Sequence, residues 1–232
     1  MPAADSETDL DALIRRVDPD RWLTSRFIAD PAARADVVAL YAFDHELARA
    51  PRAASTALLA EIRLTWWREV LDEIFGGGPV RRHPVAEALG GLVRRHGLAR
   101  EPLEAMIDGQ IAALDGELDA AASLAWADAV EGSLAMAAAF VLDPDCSERA
   151  ASAGRAWGLV LLRRSGKSPD AVLRPLLASA LAETRAAAAG LSVAALPAVL
   201  PARLARFDLA GRSPGLLRKQ FSLIVATATG RL

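Results

Sequence analysis

Alanine stands at 51 of the 232 positions of this chain, more than a fifth of the sequence. It is the best helix former and a poor strand residue. The residues that favour sheets are scarce by comparison, with one tyrosine, five tryptophans and six phenylalanines. No window alternates apolar and polar residues over a strand's length while rich in β-branched side chains. An all-α fold is therefore expected. Disorder is excluded by an apolar content of 53%, and the length suits a single domain.

Helix punctuation recurs from end to end. Asp18-Pro19 and Asp30-Pro31 each pair an N-cap acceptor with a proline at the first helical position. They predict helices over 18–28 and 31–50, the second closed by Pro51. Ser55 is expected to cap a helix that reaches Phe75 and stops at Gly76-Gly77-Gly78. Further helices are predicted over 83–96, 101–114, 123–142, 146–164, 170–189, 196–207 and 214–229. The expectation is one bundle of about ten helices over 18–232, preceded by an acidic, partly helical segment over 1–17.

Several function classes fall away. Twenty-seven basic against 29 acidic residues leave a net charge of −2, so no basic field invites nucleic acid. A lone cysteine, Cys146, excludes an intrachain disulfide and a thiolate zinc cluster, and is expected to pack as a small hydrophobe. Met1 to Leu10 is acidic and polar, unlike a signal peptide. The longest uncharged stretch, Ala186 to Ala202, is interrupted by Gly190, Pro197 and Pro201. No transmembrane segment is expected, since one needs about 20 apolar residues. The expected location is cytoplasmic, with peripheral contact to the inner membrane allowed.

Metal and phosphate motifs are equally weak. His45, His83 and His96 lie on different predicted helices and read as caps or surface residues. Three carboxylate pairs stand one helical turn apart: Glu7 with Asp11, Glu69 with Asp72-Glu73, and Asp115 with Asp119. Such spacing could chelate Mg²⁺, but each pair reads more simply as a frayed end or a solvated face. The glycine triplet lacks the Lys and Ser/Thr of a phosphate loop. Trp66-Trp67 point about 100° apart on a helix and are expected to anchor packing.

Several strings resemble the squalene/phytoene synthase family. They are Val38-Ala39-Leu40-Tyr41-Ala42-Phe43, Glu61-Ile62-Arg63-Leu64-Thr65-Trp66-Trp67-Arg68 and His83-Pro84-Val85-Ala86-Glu87-Ala88-Leu89. Met106-Ile107-Asp108-Gly109, Val130-Glu131-Gly132-Ser133 and Gly154-Arg155-Ala156-Trp157-Gly158-Leu159 continue the resemblance in order, and it covers roughly 18–165. The fold it implies is an isoprenoid-synthase-type bundle around a central cavity. The activity it implies is head-to-head joining of prenyl diphosphates, with two Asp-x-x-x-Asp motifs holding Mg²⁺.

Those aspartates are missing. The first motif's positions hold Ala48 and Arg52, and the second's Leu161 and Ser165. The family's glutamine matches Gly158, an intervening aspartate Ala113, and a tyrosine Ala129. An arginine where Mg²⁺ should sit opposes the metal. The pattern resembles the family's non-catalytic, complex I assembly factor-like branch. It implies a binding or assembly-type pseudo-enzyme with no catalytic or metal residues and no cofactor, whose partner is a protein or a prenyl-type lipid. The alternative is an active prenyltransferase with displaced ligands at Asp44, Glu46, Asp108 and Asp115, the one case that requires Mg²⁺. Under either reading the pocket candidates are Tyr41, Asp44, His45, Arg63, Trp67, Asp108 and Arg164. Arg49, Arg52 and Arg164 are candidates for a basic mouth that meets a diphosphate without metal.

Overall fold

The structure, a computed structural model, describes residues 9–232. Glu7, with the rest of residues 1–8 of the acidic leader, lies outside the described residues. Among these residues there is no strand. The helices are α1 (Leu10–Val17), α2 (Pro19–Ser25), α3 (Pro31–Arg52), α4 (Ala57–Phe75), α5 (Pro84–His96), α6 (Glu101–Ala112), α7 (Ala120–Trp126), α8 (Ser133–Leu142), α9 (Ala151–Ser165), α10 (Asp170–Ala188), α11 (Leu196–Leu209) and α12 (Leu216–Thr229). A π-helical stretch, Ala127–Gly132, joins α7 to α8 without a break.

The capping chemistry works locally. Asp18 accepts from the Arg21 amide, and Asp30 from the Ala32 amide at 2.9 Å. Thr56, one residue past the expected Ser55, caps α4 by accepting from the Leu59 amide at 3.3 Å. Pro51 does not close α3. It sits in the last turn, and the Ala53 amide still reaches the Arg49 carbonyl at 2.9 Å. Asp9 caps α1 by accepting from the amides of Asp11 and Ala12. Through the fully buried Ile14, α1 enters the common core, so 10–17 does not stand apart from the bundle. Cys146 is buried in a short 3₁₀ turn, Pro144–Cys146, ahead of the turn that leads into α9.

Alanine sets how closely the central helices approach. Ala127, Ala138, Ala139, Ala150 and Ala156 are fully buried where α8, α9 and the π stretch meet. Contact is closest at Gly154 and Gly158 of α9. A Cβ at Gly154 would lie 2.1 Å from the Glu131 carbonyl oxygen. One at Gly158 would lie 3.0 Å from the Glu131 side chain.

One expectation is corrected here. Ala120–Leu142 is a single helical run of 23 residues, long and apolar enough by composition to cross a membrane. Scanning for uncharged stretches missed it, because Asp128 and Glu131 interrupt an otherwise apolar segment. A helix apolar on most sides is also what the centre of a bundle requires, and 56% of that window is buried in this fold.

Candidate functional site

A cavity of about 1030 Å³ opens between α2, α3, α6, α9 and the π stretch. Its floor is built around one arginine. The Asp18 cap sets the first turn of α2, and Arg21 enters the interior from that turn, only 3% exposed. Its Nη1 donates to Asp44 Oδ2 of α3 at 2.7 Å. Its Nη2 donates to Glu131 Oε2 in the π stretch. Asp18 Oδ2 lies 3.4 Å away, and the guanidinium carbon sits 5.4 Å from the Tyr41 ring centroid. A π turn re-aims side chains relative to a regular helix, and here Glu131 from that turn meets Arg21.

Burial dominates the electrostatics of this floor. It pushes Glu131 up to about 8, against the pull of Arg21. It pushes Tyr41 up to about 12, again with Arg21 opposing. Burial also works against the Arg21 charge, but Glu131, Asp44 and Asp18 together outweigh it and hold Arg21 well above its ordinary value. On the wall, burial lowers His45. Two polar atoms in cavity-lining residues, Asp44 Oδ1 and Trp157 Nε1, are buried with no hydrogen-bond partner among the described residues.

The rim is basic. Arg52 donates through Nε only to the Ala48 carbonyl at 2.9 Å. Lys167 reaches the Ala113 carbonyl at 3.0 Å. Arg164 stacks 5.0 Å from the Trp157 ring centroid and pairs with Asp208 at 2.9 Å. Asp20 is held by Lys219 at 2.6 Å and by Arg164 at 3.4 Å.

Of the pocket candidates, the fold brings Tyr41, Asp44, His45 and Arg164 to this cavity. Three others lie elsewhere. Arg63 is on the exposed face of α4. Trp67 is buried but packs edge-on between Phe43, at 5.3 Å, and His83, at 5.2 Å, so its ring is spent where α3, α4 and the start of α5 meet. Asp108 faces solvent and pairs with Arg68. Of the expected basic mouth, Arg52 and Arg164 line the cavity, while Arg49 is exposed and pairs with Glu46 at 3.2 Å. Asp115 is exposed, and Glu69 and Glu73 pair with Arg81.

The motif positions converge. Ala48, Arg52, Ala113, Leu161 and Ser165 all line the same cavity. The donor set there does not fit Mg²⁺. Its carboxylates are Asp18, Asp20, Asp44 and Glu131, and each is engaged by Arg21, or by Lys219 and Arg164. Among the described residues no group of three or more His, Cys, Asp or Glu side chains could hold a metal ion. At Gly158 the π stretch occupies the room a glutamine would need.

Arg21, Asp20 and Lys167 escaped the sequence reading, Asp18 was read only as a helix cap, and Trp157 and Glu131 only as parts of strings. A signal for Arg21 existed. It shares a helical face with Thr24 and Ser25, both fully buried, and two acids, Asp18 and Asp20, flank it within α2 and its cap.

Comparison with known proteins finds a family model, Squalene/phytoene synthase, matching residues 14–171. Complex I assembly factor 6 of NADH dehydrogenase (ubiquinone) from Bos taurus is 34% identical over 104 residues, 44% of this chain and 30% of that protein. The Homo sapiens counterpart is 32% identical over the same shares. The chain thus spans less than a third of the length of these curated relatives. A crystal structure of a dehydrosqualene synthase in complex with ligand superposes with a TM-score of 0.74. That match covers 96% of this chain and 95% of that one at 16% identity, and so speaks for the fold.

Proposed function

Because this chain belongs to the squalene/phytoene synthase family, we propose that it keeps the synthase architecture as a binding or assembly-type pseudo-enzyme without Mg²⁺-dependent prenyl transfer. One observation carries the reading: every carboxylate of the cavity is engaged by the protein's own cations, with Arg21 shared among Asp18, Asp44 and Glu131, while Ala48, Arg52, Leu161 and Ser165 stand where metal ligands belong. Departure of a diphosphate requires its charge to be neutralised by a metal at the reacting centre. These residues are arranged to neutralise each other.

The proposed partner is a protein, as the name of the assembly-factor relatives suggests. The cavity is large enough to retain a prenyl-type lipid without turning it over. No cofactor is required. The displaced-ligand alternative asks Asp44, Glu46, Asp108 and Asp115 to converge, and of these only Asp44 lines the cavity.

The test is incubation with farnesyl and geranylgeranyl diphosphates and Mg²⁺, read by product analysis. Neither squalene, dehydrosqualene nor phytoene is expected, and the unfolding midpoint should be the same in Mg²⁺ and in EDTA. Steady formation of any of the three products overturns the proposal. A pull-down from the native host addresses the partner.

A further inference from the structure

The end of the described chain differs in charge from the rest. Between residues 196 and 232 there are six basic residues and one acidic, in a chain whose net charge is −2. The acid, Asp208, is taken by Arg164 from outside the segment. Arg206, Arg212, Arg218 and Arg231 are exposed and have no carboxylate partner among the described residues. Exposed arginines without a carboxylate partner among the described residues also occur elsewhere, at Arg63, Arg82, Arg94 and Arg174 for example, so what sets this segment apart is its excess of basic over acidic residues.

The same segment exposes its largest apolar side chains. α12 buries Ser222, Leu223 and Ala226 against the bundle. On the opposite side Leu217 is 81% exposed, Phe221 69% and Ile224 55%. Their spacing of four and three residues makes one stripe along the helix. Arg212 precedes the helix, Arg218 lies in its first turn, and Arg231 follows its Gly230 cap, so both ends of the stripe carry exposed cations. A comparable apolar patch on α4, at Leu58, Leu59 and Ile62, encloses Glu61 and has an exposed cation, Arg63, at one end only.

An apolar helical face with cations at its margins is the chemistry that lies in the boundary of an anionic bilayer. We propose that the outer face of α12 rests on an anionic lipid surface. Leu217, Phe221 and Ile224 enter the headgroup boundary, and Arg212, Arg218 and Arg231 meet lipid phosphates. On the inward side of the same helix, Lys219 holds Asp20 in the cavity wall at 2.6 Å. Docking therefore places the cavity behind α12, one helix diameter (~10 Å) from the bilayer. The proposal stands on α12 alone, whether or not the cavity performs chemistry.

Vesicle flotation of the full chain tests it, using phosphatidylcholine vesicles with and without phosphatidylglycerol. The chain is expected to float with the anionic vesicles, to bind the neutral ones weakly, and to lose binding as salt rises. Arg212→Glu combined with Arg231→Glu should lower anionic-vesicle partitioning at least about tenfold. Phe221→Ser, and separately Leu217→Ser, should weaken binding to both vesicle types. All variants should keep the wild-type unfolding midpoint, because these side chains are exposed. Absence of flotation with anionic vesicles overturns the proposal, and so does binding that the variants leave intact. A concentration-dependent dimer abolished by Phe221→Ser, with no vesicle binding, would assign the face to a second copy and overturn it too.

Discussion

On the cavity floor Arg21 is buried and shared among Asp44, Glu131 and Asp18, whereas at the rim Arg52 and Lys167 touch only backbone carbonyls. Both regions contain cations at or near places where the family resemblance expects metal-binding chemistry. On the floor the cation is structural, because removing it strands charges in low dielectric. At the rim water already solvates the charge, so a cation there is free to meet a ligand at little cost to the fold. Burial, more than residue type, decides which role an arginine plays around this cavity.

The largest effect should come from Arg21→Met. It leaves Asp44 and Glu131 buried without their counterion and should cost about 3–5 kcal/mol in urea unfolding. Glu131→Gln in that background should recover part of the loss. A cost below about 1 kcal/mol would erase the distinction between floor and rim. Next, Gly154→Ala drives a methyl into the Glu131 carbonyl and should cost about 1–3 kcal/mol by overpacking. An unchanged midpoint would show that α9 and the π stretch can separate freely.

A smaller effect is the pH dependence of stability that Glu131 carries. Its folded value, about 8, lies above the ordinary 4.5, so the folded state binds the extra proton between them. Its contribution is therefore full below about 4.5 and lost as pH rises through about 8. Paired carboxyls held low, such as Asp11 and Glu73, act in the opposite sense and only at more acid pH. Subtracting the Glu131→Gln profile from the wild type should isolate a difference that declines from pH 5 to 8. A flat difference would mean that Glu131 is ionised throughout. The smallest effect belongs to the rim, where Arg52→Glu or Lys167→Glu should change stability by no more than about 0.5 kcal/mol. A larger loss would make the rim structural as well.

Much of the bundle was legible because its punctuation is local. Asp18-Pro19 and Asp30-Pro31 announce helix starts that depend only on the neighbouring amides. Pro51 and Ser55 misled by a residue or so, since a proline in a last turn and either of two adjacent hydroxyls satisfy the same local rule. Motif register placed Ala48, Arg52, Ala113, Leu161 and Ser165 at the site, and all five line the cavity. The counterions stayed hidden because they arise from contacts across the chain. Arg21 and Glu131 are 110 positions apart, and Lys219 reaches Asp20 over 199. Trp67 and Asp108 were read from strings that resemble the family, but neither string states which way its side chain faces.

The close seating of Glu131 against Gly158 has a consequence for any attempt to build a synthase here. Writing aspartates back at 48, 52 and 165 would bring negative charge to a cavity whose π turn still presses on α9 and whose carboxylates still answer to Arg21. A glutamine at 158 would collide before it could help. The exposed positions 52 and 165 can accept a carboxylate singly, but the glutamine is costly until the π turn gives way. The packing acts as a ratchet: the seat of Glu131 against α9 holds the centre closed even where the motif positions are free to change.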